Sequence, residues 1–314
     1  MSRIYEALQK AEAERNLEQR EPEPRKPEHP VSLGGATAVA EVEDLAIASP
    51  IDSELHQDPS WRAGGQALDL TQIVARPWAL SPTQLPALLE RGPAVEQFRS
   101  LRSRIFELRD ISPLKTILVS SGLPQEGKSF ISTNLAMSLA RHKNSKVLLI
   151  DGDMRRYTLH QILGCDSQPG LADYLAGKAT ILEVMQRPEP SQAATSVVTP
   201  ILPNLTFIAG GNGGDKAADL SGSPRFGELI RQATPYFDWI IVDSSPVLPV
   251  SDAVNLARWC DGVLLVARGG VTKFPVAQRA QSELKASNIL GFVLNAVHET
   301  PEVGSYYGYE ATKQ

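Results

Sequence analysis

Residues 121–129 read SGLPQEGKS, and within them Gly122, Gly127, Lys128 and Ser129 satisfy the pattern GxxxxGK[ST]. The run TILVS before this segment has the composition of a buried strand, and FISTNLAMSLARH after it has that of a helix. A strand, a glycine loop and a helix in this order form a phosphate-binding loop, because the loop N–H groups and the helix N-terminus face the same anion. The motif therefore restricts the chain to α/β folds built around such a loop.

Backbone and side chains have different roles in a loop of this kind. Glycines let the backbone wrap around phosphate groups, Lys128 can reach the terminal phosphates, and Ser129 can ligate Mg²⁺. The residues expected to bind the nucleotide are Gly122, Gln125, Glu126, Gly127, Lys128, Ser129 and Phe130. The loop alone leaves open what is done with the bound phosphate.

Strand-like and helical patterns alternate from about residue 92 onward. Apolar runs predict strands at 116–119, 147–150, 205–209, 239–242, 263–267 and 290–297. Amphipathic or helical patterns occur at 96–109, 130–141, 225–233, 251–259 and 276–287. Since the apolar runs are continuous, both faces of each strand are expected to be covered. The predicted fold is a P-loop NTPase α/β fold, with a mostly parallel sheet flanked by helices on both faces and no internal repeat.

Two further segments place carboxylates at the ends of buried strands. VLLIDGDMRR contains Asp151 and Asp153, which would point the same way if the strand continued, and FDWIIVDSSP contains Asp243. Together with Lys128 these form the candidate catalytic set, in which Ser129, Asp151 and Asp243 would hold magnesium and a carboxylate could deprotonate an attacking group. The structural alternatives are helix capping or pairing with the adjacent arginines for Asp151 and Asp153, and a plain turn for Asp243.

Two other polar residues allow two interpretations each. Asp252 begins a predicted helix, where an N-cap is more common than a catalytic acid. Asn295 closes the run GFVLN, where its carboxamide could bind an adenine edge or simply end the strand.

Composition excludes several functional classes. The 31 basic and 36 acidic residues give a net charge of -5, so no overall basic field attracts nucleic acid or an anionic membrane. Cys165 and Cys260 form no CxxC pair, which argues for a reducing compartment and against a zinc or iron–sulfur site. No apolar run approaches the ~20 residues of a membrane span. We expect a cytoplasmic protein without nucleic-acid binding or direct membrane insertion.

The predicted organisation has five parts. Residues 1–20 form an amphipathic helix, 21–63 a flexible linker, 64–91 a lead-in without assignment, 92–300 the nucleotide-binding domain, and 301–314 a flexible tail. The helix would be either a docking peptide or a frayed terminus. The tail contains three of the seven tyrosines, Tyr306, Tyr307 and Tyr309. It would serve as a concentrated acceptor, or pack on the core as an aromatic strap.

Together these motifs resemble the bacterial tyrosine kinases, also called BY-kinases. The resemblance spans roughly residues 92–309 and depends on the P-loop, IDGDMRR, IIVDSSPVLPVSDA, EQFRSLR and YYGY, while SRIYEALQKAEAER is similar to the opening of cytoplasmic members. It implies Mg-ATP as cosubstrate and transfer of the γ-phosphoryl group to the tail tyrosines of a neighbouring subunit. It also implies control of exopolysaccharide chain length and export. Glu96, Arg99 and Arg102 match the family's ExxRxxR motif at the subunit interface of a ring, although a plain surface pair at i, i+3 is the alternative.

The resemblance further implies partners. The family supplies a membrane segment in cis or through a separate transmembrane activator of the polysaccharide co-polymerase type, which would recruit this chain to the inner face of the plasma membrane. A tyrosine phosphatase is also expected. Gln125 departs from the family, since many relatives have glycine there, and Ser245 stands where a second proline is common.

Three other functions compete with the kinase. A partitioning or septum-positioning ATPase typically has an extra lysine early in the loop, and residues 120–126 contain none. A reductase with a bridging iron–sulfur cluster would need paired cysteines. A nucleotide-binding scaffold of a polysaccharide-export complex, without kinase activity, is disfavoured by the intact Lys128, Ser129, Asp151 and Asp243.

Overall fold

A computed structural model of the chain describes residues 68–81, 83–142, 145–189 and 204–297. The predicted N-terminal helix, the linker and the tyrosine tail lie outside these residues. Within them, no helix has the length and apolar character needed to cross a lipid bilayer.

Eight strands form one sheet in the order β1-β4-β5-β3-β6-β2-β7-β8. The strands are β1 (Val74–Arg76), β2 (Thr116–Ser121), β3 (Val147–Asp151), β4 (Met185–Pro188), β5 (Leu205–Ile208), β6 (Trp239–Asp243), β7 (Gly262–Arg268) and β8 (Ile289–Asn295). All neighbouring pairs are parallel except β4 and β5. The mostly parallel sheet predicted from continuous apolar runs is therefore confirmed.

Nine α-helices accompany these strands in the described residues. They are α1 (Pro93–Ile111), α2 (Lys128–Ala140), α3 (Leu159–Leu163), α4 (Leu171–Leu175), α5 (Ile181–Val184), α6 (Ala217–Ser221), α7 (Pro224–Ala233), α8 (Asp252–Ala257) and α9 (Phe274–Glu283). Short 3-10 turns occur at Leu70–Gln72, Pro86–Leu88 and Gly214–Lys216.

Side chains that alternate along the strands enter two separate cores. On one face, Leu118, Leu148 and Ile240 pack with residues of α4, α7 and α8. On the other, Ile117 and Leu149 pack with residues of α1, α2 and α3. Because a strand points successive side chains to opposite faces, a continuous apolar run is needed to fill both cores.

The segment 64–91 had no assignment from the sequence, and its described residues, 68–81 and 83–91, contribute to this domain. The edge strand β1 pairs with β4, and Leu85, Ala87 and Leu88 are buried against the second core. Strand β1 has only three residues and two of them are exposed, so it lacks the apolar run by which the other strands were found.

Candidate active site

The phosphate-binding loop and two aspartates meet because of the order of three central strands. Strand β6 lies between β3 and β2, and the loop follows directly from β2. The register pairs Asp151 with Asp243 across β3 and β6, and Val119 with Asp243 across β2 and β6. Since the carboxyl ends of parallel strands share one edge of the sheet, Asp151 and Asp243 lie beside the loop.

The loop backbone enters the left-handed region at two positions. Gly127 has φ 95°, and a β-carbon there would lie 1.9 Å from the Nδ2 atom of Asn295. Gln125 is exposed and has φ 65°. Glycine adopts this conformation without strain, which gives a physical reason for the glycine that the family resemblance leads us to expect at the position of Gln125. Gln125 therefore preserves the loop conformation at a local backbone cost.

Glu126 ties the loop to the rest of the domain and is itself buried. Its carboxylate accepts hydrogen bonds from the Leu123 N–H, at 2.8 Å, and from the Thr272 hydroxyl. The Nδ2 atom of Asn295 donates to the Glu126 carbonyl at 3.0 Å. Thr272 is not predicted by any motif in the sequence, and it lies between β7 and α9. Asn295 braces the loop, and its contact with adenine stays a prediction.

Lys128 and Ser129 each contact one of the candidate carboxylates. Lys128 Nζ lies 3.2 Å from Asp153 Oδ2, and Ser129 Oγ donates to Asp243 Oδ2 at 2.7 Å. Asp153 is only 3% exposed, and the Lys128 side chain 15%. These contacts bring together four of the five residues that the sequence placed in the catalytic and metal sets, and Asp151 is the fifth.

Asp151 is fully buried and is held by the backbone. Its two oxygens accept from the N–H groups of Asp153, at 3.2 Å, and Leu159, at 3.1 Å. Strand β3 ends at Asp151, so Asp153 is in the following loop. The continued strand that would point both side chains the same way is not observed. A backbone bond to the start of α3 is one of the alternatives foreseen for Asp151, and the adjacent Arg155 pairs elsewhere.

Burial sets the electrostatics of this cluster. It raises the pKa of Asp151 well above its usual range, and the negative charge of Asp243 raises it further. Burial also raises the pKa of Asp243, against the opposing effects of Lys128 and Ser129. Burial alone would lower the pKa of Lys128, but Asp243 and Asp153 outweigh it and raise that pKa. The cluster holds more carboxylates than its single lysine neutralises.

The donor atoms fit a magnesium ion that is shared with a nucleotide. Oδ1 of Asp243 is buried and has no hydrogen-bond partner among the described residues, while its other oxygen meets the Ser129 hydroxyl. Within those residues no group of three or more His, Cys, Asp or Glu side chains forms a ready metal cluster. Mg²⁺ commonly takes one or two protein oxygens and completes its shell with phosphate and water. Ser129 and Asp243 meet that requirement.

Asp252 lies outside this cluster and pairs with Arg155. The guanidinium Nε and Nη2 atoms lie 2.7 and 3.3 Å from the two Asp252 oxygens. Asp252 is the first residue of α8 and the residue before it, Ser251, is the N-cap. Asp252 is therefore not itself the N-cap. The ion pair links the loop after β3 to α8.

The remaining predicted residues make no contact with the Lys128 and Asp243 cluster among the hydrogen bonds and ion pairs of the described residues, or lie outside those residues. Phe130 packs its ring 5.8 Å from that of Phe98 in α1. Arg99 pairs with Glu96 on α1, and Arg102 donates to the Ser138 carbonyl at 2.8 Å. The three tail tyrosines, Tyr306, Tyr307 and Tyr309, are not among the described residues.

Comparisons with curated proteins find tyrosine-protein kinases. Tyrosine-protein kinase YwqD of Bacillus subtilis is 31% identical over 220 residues, which are 69% of this chain and 86% of YwqD. Tyrosine-protein kinase ptk of Acinetobacter johnsonii is 32% identical over 209 residues, 66% of this chain and 27% of that protein. The putative tyrosine-protein kinase EpsB of Ralstonia solanacearum is 35% identical and is likewise covered to 27%. The chain thus spans about a quarter of these two relatives and most of YwqD. No protein-family model matches the chain.

Comparisons with solved structures find proteins of similar fold, among them a tyrosine kinase domain. The kinase domain of Escherichia coli tyrosine kinase ETK aligns with a TM-score of 0.58 and 30% identity, covering 69% of this chain and 80% of that one. The chimerical protein CapA2B2 aligns with a TM-score of 0.62 and 25% identity, covering 73% and 96%. Both alignments agree with the mostly parallel sheet and flanking helices described above.

Proposed function

The chain belongs to the bacterial tyrosine kinases, and from that premise we propose that it transfers the γ-phosphoryl group of ATP to tyrosines in its own C-terminal tail. The observation that carries the proposal is the convergence of Lys128, Ser129, Asp153 and Asp243 on one sheet edge, in a chain related to YwqD over most of that kinase's length. The acceptors would be Tyr306, Tyr307 and Tyr309.

Each residue of the cluster has a proposed role. The loop N–H groups and Lys128 would bind the phosphates and stabilise the charge that spreads over their oxygens during transfer. Ser129 and Asp243, together with Asp151, would hold Mg²⁺, which supplies further charge neutralisation when bound. Asp151 and Asp153 are the proposed proton acceptors for the attacking hydroxyl, because Asp243 already contacts Ser129. The contacts of Asp153 with Lys128 and of Asp151 with backbone N–H groups support a fixed geometry for that step.

We propose that the transfer occurs between copies of the chain. Glu96, Arg99 and Arg102 would form the subunit interface of a homo-oligomeric ring, and the tail of one copy would enter the site of the next. Exposure of Arg99 on α1 is compatible with such an interface. The support for this arrangement is the match to the family's ExxRxxR motif.

The proposed biological role is control of exopolysaccharide or capsule synthesis and export. A transmembrane activator of the polysaccharide co-polymerase type would bring the chain to the inner face of the plasma membrane, and a tyrosine phosphatase would reverse the modification. Both partners are proposed from membership of the family.

A mixing experiment tests the activity and its direction together. One full-length chain has Tyr306, Tyr307 and Tyr309 changed to Phe and keeps its site, while the other is Lys128→Met with its tail intact. After incubation with Mg-ATP, mass spectrometry should find phosphate on the tail of the Lys128→Met chain only in the mixture. Phosphate in wild type but not in the mixture would refute transfer between copies, and ATP hydrolysis with an unmodified wild-type tail would refute the kinase.

The interface has a separate test. Changing Glu96, Arg99 and Arg102 to Ala should lower the oligomeric mass measured by light scattering. Arg104→Ala is the matched control, because Arg104 lies on the same helix and pairs with Glu107 on its exposed side. An unchanged mass in the triple variant would contradict the interface.

A further inference from the structure

Three arginines converge on a cavity between α1, α2 and the Pro86–Leu88 turn. The cavity measures about 240 Å³ and is lined by Arg99, Arg102 and Arg141 together with Ser138, over a floor of Ala87, Val95 and Phe98. No carboxylate is among these lining residues. The cavity lies on the side of α2 that packs against α1, and none of its lining residues belongs to the phosphate loop.

The hydrogen bonds of these arginines leave donors free to face the cavity. Arg102 uses Nη1 on the carbonyl of Ser138, and Arg141 uses Nη1 on the carbonyls of Ala87 and Leu89. The Nε and Nη2 groups of Arg102 and Arg141 have no hydrogen-bond partner among the described residues. The guanidinium groups of Arg102 and Arg141 are thus each anchored by one nitrogen while their other donors remain for a ligand, as in bidentate recognition of an oxyanion. Arg99 is more constrained, because its Nη1 binds Glu96 and its Nη2 donates to the Glu90 carbonyl.

Charge decides which oxyanion fits. Three guanidinium groups are offset by one carboxylate, that of Glu96, which pairs with Arg99. Burial lowers the pKa of Arg102, and the positive charges of Arg99 and Arg141 lower it further. A carboxylate would leave a surplus of positive charge, whereas a phosphate monoester carries roughly −1.5 to −2 at neutral pH.

We propose that the cavity between Arg99, Arg102 and Arg141 binds a phosphate monoester dianion. The ligand is a phosphotyrosine of the tail or a small phosphate from solution. Binding of a tail phosphotyrosine rests on the proposed kinase function, which would produce this aryl phosphate. Binding of a small phosphate from solution does not depend on that function. Arg141 lies outside the ExxRxxR motif, so changing it separates phosphate binding from the proposed interface.

The test measures binding of phenyl phosphate to the full-length wild-type chain, treated beforehand with a phosphatase that is then removed, by titration calorimetry with ADP present to occupy the phosphate loop. Arg141→Gln and Arg102→Gln should each weaken binding about tenfold, the loss expected when a charge-assisted hydrogen bond is removed. Arg104→Gln, on the exposed side of α1, should bind like the parent. Arg141→Lys keeps the charge and should recover part of the affinity, and thermal unfolding confirms that each variant is folded.

Two further ligands separate the sources. The peptide GSYYGYEATKQ, phosphorylated on tyrosine, should bind at least tenfold more tightly than its unphosphorylated form and than inorganic phosphate if the tail is the ligand. Equal affinity for the phosphopeptide and inorganic phosphate would support the small-molecule source. Absence of saturable binding by every phosphate compound, or equal affinity in parent and Arg141→Gln, would overturn the proposal. Because all ligands are supplied ready made, this result does not depend on kinase activity.

Discussion

Replacing Asp243 with Asn should stabilise the protein in the absence of nucleotide and magnesium while abolishing its proposed catalysis. One oxygen of Asp243 accepts from Ser129, and the other is buried without a partner among the described residues. An asparagine can keep the first bond and place its amide donors where the unpartnered oxygen stood. The substitution also removes the charge that raises the pKa of Asp151.

The sign follows from the direction of the two pKa shifts. The pKa values of Asp151 and Asp243 lie above the ordinary 3.8 in the folded protein, so the folded state binds protons more tightly than the unfolded chain. Stability from these groups is present below pH 3.8 and is lost as the pH rises through the raised values. At pH 7.5 the wild-type protein therefore carries a cost that Asp243→Asn removes, and Lys128 keeps its partner Asp153.

The expected size comes from the usual cost of a buried carboxylate that lacks adequate partners. Relief of roughly 1–3 kcal/mol is reasonable for such a group. A domain of this size gains about 2–4 °C per kcal/mol, so the melting temperature should rise by roughly 2–12 °C. Differential scanning calorimetry in EDTA at pH 7.5 and pH 5 measures the melting temperatures of wild type and Asp243→Asn. The control is Asp110→Asn, which changes an exposed carboxylate on α1.

Two results would refute this reasoning. A melting temperature equal to or below that of wild type at pH 7.5 would show that Asp243 stabilises the empty site. A difference that did not shrink at pH 5 would show that ionisation is not its cause. Addition of Mg-ADP should also raise the melting temperature of wild type more than that of Asp243→Asn, because only the wild-type carboxylate can bind the cation.

Substitutions at Thr272, Gly127 and Gln125 test the contacts and the backbone conformation of the phosphate loop. Thr272→Val should raise KM for ATP about tenfold with little change in kcat, through loss of a bond to the Glu126 carboxylate, while Thr272→Ser stays near wild type; a kcat effect alone would contradict a positioning role. Gly127→Ala should eliminate ATP binding measured by calorimetry, and adding Asn295→Ala should restore only part, since the strain at φ 95° remains; full activity of Gly127→Ala would contradict the contact. Gln125→Gly should keep nucleotide affinity within twofold, whereas Gln125→Ile should lose roughly 1–2 kcal/mol of unfolding free energy, measured by urea titration; equal stability of the two would refute the left-handed assignment.

The sequence predicted the central sheet well for a physical reason. Strands β2, β3, β6 and β7 are buried on both faces, so each needs an uninterrupted apolar run that stands out in the sequence. Strands β1 and β4 are short and lie toward the edge of the sheet, where polar residues are tolerated, and no pattern revealed them. The candidate catalytic residues lie together because the strand ends of a parallel sheet share one edge.

The supporting residues could not be found in this way, because their positions depend on long-range contacts. Thr272 reaches Glu126 across 146 residues, and neither the loop after β7 nor the threonine itself has a motif. Arg141 follows α2 and would pass for an ordinary helix-ending cation, until its bonds to Ala87 and Leu89 place it beside Arg102. Residue type and spacing identify groups that perform chemistry, whereas the groups that position them are identified by the fold.

The loop contacts also connect the nucleotide site to the start of the tail. Asn295 is the last residue of β8, and its side chain holds the carbonyl of Glu126. Tyr306 follows 11 residues later, and an extended chain of that length spans at most about 36–40 Å. A force on the tail that displaced the end of β8 would therefore also displace the phosphate loop, because Asn295 is hydrogen-bonded to the Glu126 carbonyl. Nucleotide affinity should consequently differ between the free tail and a tail held by a neighbouring copy, and Asn295→Ala should remove that difference.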